Sequence, residues 1–194
     1  MIFQGEVEFQ CRVVRAAAVR LNEKRNTEPD GSVAEPIQRI WDDVETIMVA
    51  CANLSKIFWG SRGRQEARRR PLRDSLGVTD ESPLRDTLMR DGLEHFDERL
   101  ESWYDASNPD HRIFVGRIVG PPGSVVIDTD DERVFRHFDP STTLVTFWGH
   151  EISIQRLITE TERILQLATA VAAARLAQFA APPPPPQRPT GGAE

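Results

Sequence analysis

The feature that most constrains this chain is a row of large apolar residues between positions 37 and 58. Ile37, Ile40, Trp41, Val44, Ile47, Met48, Cys51, Leu54 and Phe58 recur at steps of one, three or four. At about 3.6 residues per turn they share one face of a helix some six turns long. Ser32 followed by Glu35 has the form of a capping box, and Pro36 suits a first helical turn. A stripe of this length has to be covered, and the natural cover is other helices.

The rest of the chain supplies them. Val7, Cys11, Val14, Ala18 and Leu21 make a narrower stripe over residues 6–25, which ends in the turn-forming run NTEPDGS. A third helix is expected from Pro83 to Tyr104, with Ser82 as its N-cap and Met89, Leu93, Phe96, Leu100 and Trp103 on one face. A last helix over about 150–180 turns Ile154, Leu157, Ile158, Ile164, Leu165, Ala168, Val171, Ala172 and Leu176 inward. Residues 60–82 read as an arginine-rich connection with a short helix broken near Pro71.

Between residues 112 and 148 the pattern changes. Segments 112–119, 124–128, 133–138 and 142–148 are short, rich in β-branched and aromatic residues, and separated by PPG, TDDE and DPS. The expected fold is therefore mainly α: an up-and-down bundle of four to five helices, with a small antiparallel β meander inserted before the last long helix. Residues 1–180 form a single domain with its β insertion at about 112–148. The tail at 181–194, APPPPPQRPTGGAE, is Pro-rich and expected to be disordered.

Composition narrows the function classes. A net charge of −6 argues against a protein coated in nucleic acid. No stretch approaches the roughly 18 apolar residues of a membrane span, and MIFQGEVEFQCRVV lacks the layout of a signal peptide, so a cytoplasmic protein is expected. Cys11 and Cys51 lie on apolar helical positions and read as small buried residues. His111, His137 and His150 lack metal-ligand spacing. The acidic run Asp128, Asp130, Asp131 and Glu132 lacks the Gly and terminal Glu of a calcium loop. No metal or cofactor is expected.

The most particular stretch is LMRDGLEHFDER, residues 88–99. On one straight helix Arg90 and His95 flank the apolar stripe on opposite sides, about 140° apart. They cannot easily meet over one phosphate from a single helix. Gly92, between the stripe and the His side, would let a second helix come close. A complete site would then combine two copies across a symmetric dimer. The plainer alternative is a solvated face, with Asp91–His95 and Arg90–Glu94 as surface i, i+4 pairs.

Arg90-Asp91-Gly92-Leu93-Glu94-His95 resembles the R-x4-6-H motif of the HEPN superfamily, all-α domains found in many bacterial toxins and defence ribonucleases. Asp91 matches the polar residue that usually follows the Arg, and the motif falls late in a bundle helix. The resemblance covers the helical frame, roughly 1–104 and 150–180, and leaves the β segment as an insertion. It implies metal-independent endoribonuclease chemistry in a homodimer, in which a ribose 2′-OH attacks the adjacent phosphorus. His95 would move the proton and Arg90 would meet the developing charge. Asp91 would orient the imidazole.

Arg62, Arg64, Arg68, Arg69, Arg70 and Arg73 are the candidates for holding an RNA backbone. No aromatics interleave with them, so base stacking is not indicated there. Many HEPN domains lack activity, so a non-catalytic interaction module, or a nucleotide- or RNA-binding one, stands as the alternative. An antitoxin-like protein would be a fitting partner.

Overall fold

The computed structural model describes residues 2–24, 37–60, 63–86, 91, 95–106, 116–121, 134–147 and 150–180. Three long helices build the core: α1 (Ile2–Lys24), α2 (Ile37–Trp59) and α5 (Ile154–Ala180). Between them in sequence come α3 (Gly63–Ser75), a 3-10 turn (Pro83–Arg85), α4 (Phe96–Ala106) and four short strands. The strands are β1 (Ile118–Val119), β2 (Arg136–Asp139), β3 (Leu144–Phe147) and β4 (His150–Ser153).

The long stripe behaves as its spacing demands. Every member from Ile40 to Phe58 is buried, with Trp41 and Phe58 among the largest fully enclosed side chains; Ile37, at the helix start, is 47% exposed. From α1, Val7, Cys11, Val14, Ala17 and Leu21 pack on it, Ala17 lying deeper than the expected Ala18. From α5 come Ile154, Leu157, Ile164, Leu165 and Ala168. Leu176, expected inside, is 70% exposed, because the last turns of α5 run past the core.

Polar contacts fix the order of the helices. Arg20 and Lys24 at the end of α1 both pair with buried Asp43 near the start of α2. Gln4 donates to the Ala168 carbonyl and accepts from Arg175. So α1 lies antiparallel to both α2 and α5. Burial raises the Cys11 thiol to about 12 and pushes Cys51 higher still, which leaves both protonated packing groups.

Two elements depart from expectation. Pro71 lies inside α3 instead of breaking it. The bond it forfeits would go to the carbonyl of Ala67, an exposed residue that water can serve. The helix ends in a Schellman cap, with Val78 N–H on the Arg73 carbonyl, Gly77 N–H on the Asp74 carbonyl, and Gly77 at φ +58. The expected helix from Pro83 to Tyr104 is not continuous. Ser82 does cap Pro83, but the turn closes at Asp86, whose ψ of 109 is extended, and α4 begins at Phe96.

The sheet sits before the last long helix, in the order β1-β2-β3-β4. β2, β3 and β4 form an antiparallel meander, but β1 runs parallel to β2. His150–Ser153, expected as the first turn of the last helix, is instead strand β4. The expected strand at 124–128 lies outside the described residues. No described helix is long and apolar enough to cross a membrane.

Candidate functional site

His95 stands one residue before α4. Its backbone N–H donates to the Asp91 carbonyl at 3.0 Å, a helical i to i−4 bond. Its side chain is 54% exposed, and Nδ1 lies 3.4 Å from Glu98 Oε2, one turn further on. Glu98 thus brings a carboxylate near the ring. A carboxylate at Nδ1 orients an imidazole and leaves Nε2 for an incoming group. Arg90 lies outside the described residues.

The arginine cluster divides. Arg62 lies outside the described residues, and Arg64 belongs to α3 by its backbone alone. Arg68 and Arg70 are exposed. Arg70 meets Asp74 at 3.9 Å, but both side chains are so open that the pair adds little. Arg69 lies over the Phe3 ring, 3.5 Å from its centre. Arg73 is buried and donates to the carbonyls of Phe58 and Glu66 at 2.7 and 3.2 Å. Phe58 is in the last turn of α2, where carbonyls lack helical partners. Arg73 is therefore occupied in capping α2, and the expectation that it holds RNA is corrected.

A second polar centre escaped sequence reasoning. Arg136, at the start of β2, is buried and its Nη1 donates to Glu45 Oε1 on α2. Arg117, just ahead of β1, reaches the same oxygen at 3.2 Å. The rings of Phe96, Phe135 and Phe147 surround the Arg136 guanidinium at 4.6, 5.4 and 5.5 Å. Burial lowers the pKa of Arg136; the Glu45 charge opposes this and Arg117 adds to it. Alternation in RVFRHF was a usable signal, since it places Arg136 on the inward side of a strand.

Phe96 joins this centre to His95, its neighbour in sequence. The α3 arginines are elsewhere: Arg73 meets α2 at Phe58 and Arg136 meets it at Glu45, about 20 Å away along the helix axis. Of the remaining histidines, His137 Nε2 lies 2.7 Å from the Gly120 carbonyl and His150 pairs with Phe147 across β3 and β4. His111 lies outside the described residues. Comparison with known family models, curated proteins and solved structures gives no match.

Proposed function

We propose that this chain is a HEPN-like, cytoplasmic protein that cleaves RNA as a homodimer, without a metal ion. The observation that supports this is the half-exposed imidazole of His95, with Glu98 Oε2 3.4 Å from its Nδ1. An imidazole that faces water can accept and donate a proton, which suits transfer with the ribose 2′-OH or the leaving oxygen. Attack of that hydroxyl on phosphorus would leave a 2′,3′-cyclic phosphate. Arg90 of the second copy would meet the charge that develops on the phosphoryl oxygens. A role as a toxin or defence effector, with an antitoxin-like protein as partner, follows from the motif resemblance alone.

The test is cleavage of labelled single-stranded RNA by the purified chain with chelator present. His95→Ala and Arg90→Ala should each lower the rate by about 10²–10⁴-fold while keeping the wild-type melting curve. Absence of cleavage by the wild type, or unchanged rates in both variants, removes the mechanism.

One observation favours a binding module instead. Phe9 and Val49, 58% and 47% exposed, line an open groove between α1 and α2 together with Val13, Asp42 and Glu45. Stable RNA or protein binding without cleavage would favour that alternative.

A further inference from the structure

The parallel pairing of β1 and β2 has a chemical result. Ile118 lies opposite His137, so one step back Arg117 lies opposite Arg136. Neighbouring strands are about 4.8 Å apart, and residues in register project to the same face. Two guanidiniums are thus set side by side, and both reach the same oxygen, Glu45 Oε1. Among the described residues Glu45 is the only carboxylate within ion-pair distance of either one. Among these described groups, two positive charges share one negative charge.

The centre is also short of an acceptor. Arg136 Nε is buried and has no hydrogen-bond partner among the described residues, although the residue is only 9% exposed. The three phenylalanine rings favour a cation but offer it no oxygen. The Arg117 and Glu45 side chains, 41% and 33% exposed, open the cluster to water. Phe96, half-buried against Arg136, carries it to the residue next to His95.

We infer that Arg117 and Arg136 form a seat for a phosphate of an RNA backbone, with Glu45 as the resident carboxylate that the phosphate competes with. This rests on the RNA reading proposed above and assigns that substrate a binding site on the β insertion. Guanidinium forks match the oxygens of a phosphodiester, and the positive charge in excess among the described groups favours an anion. Glu45 holds the forks in place when the seat is empty and keeps affinity moderate.

The test is fluorescence anisotropy of a labelled single-stranded oligouridylate, titrated with the full chain carrying His95→Ala so that cleavage does not interfere. Adding Arg117→Ala should weaken binding about tenfold and lower the salt slope by about one. Adding Glu45→Gln, which keeps the shape and removes the competing charge, should tighten binding several-fold. Wild-type affinity and salt slope in both variants would overturn the seat, as would absence of RNA binding at low salt. If binding ignores Arg117 while the wild type cleaves RNA through His95, the seat is lost and the reaction stands. If binding depends on Arg117 while the wild type cleaves nothing, the seat stands and the reaction is lost.

Discussion

Asp139 shows how one carboxylate sets a turn. It ends β2, and after a four-residue turn β3 begins at Leu144. Oδ1 accepts from the Ser141 N–H and hydroxyl at 2.8 and 2.7 Å, and Oδ2 from the Thr142 hydroxyl at 2.8 Å. Burial alone would raise its pKa, but these donors outweigh burial and hold it below the ordinary carboxylate value. The sign follows directly. A depressed folded pKa contributes stability that is full above the unfolded value of about 3.9 and is lost as pH falls through the folded value. Asp139→Ala should cost about 1–3 kcal/mol at neutral pH and flatten the acid limb of a Tm-against-pH curve below about pH 4. An acid limb identical to that of the wild type would mean that Asp139 does not control it.

At the scale of elements, α5 holds the segment that follows α3. Arg163 donates to Glu160 at 2.8 and 2.9 Å, and to the carbonyls of Leu76 and Gly77 at 3.4 and 3.0 Å. Glu160 accepts from the Ser82 hydroxyl at 2.9 Å. One ion pair thus clasps both the α3 cap and the 3-10 turn that buries Leu84. Arg163→Ala should lower stability by about 1–3 kcal/mol in urea unfolding, since it strands Glu160 and two carbonyls. Hydrogen exchange should rise first over residues 76–85. Uniform loss of protection along the chain would contradict a local clasp.

The elements that were legible in the sequence are those with long apolar periods. The stripes of α1, α2 and most of α5 could be read because many residues vote on one face. The break at Asp86 could not, since the polar sequence there is compatible with continuation and packing around Leu84 decides the geometry. The strand at His150–Ser153 was hidden because four residues before a helix carry too few positions to show a period of two. The parallel seating of β1 depends on partners distant in sequence, so the pairing of Arg117 with Arg136 was invisible too. His95 was legible because its residue type is distinctive; its contact with Glu98 was not, since Asp91 and Glu98 are both within one turn of it.

For the whole molecule, the decisive matter is whether one chain holds a complete site. If each site takes Arg90 from one copy and His95 from the other, two inactive variants should repair each other. In a heterodimer of Arg90→Ala and His95→Ala chains, one site collects both substitutions and the other collects neither. Random exchange at equal concentrations makes about half of all dimers mixed, so about a quarter of the sites are intact. Mixing the two variants should then restore RNA cleavage to about a quarter of the wild-type rate. The restored fraction should track the amount of heterodimer, measured by native mass spectrometry after subunit exchange. If both residues act within one chain, every site in the mixture lacks one of them and activity stays at the level of the separate variants. Heterodimers that form freely but remain inactive would therefore rule out a shared site, whatever the wild type cleaves.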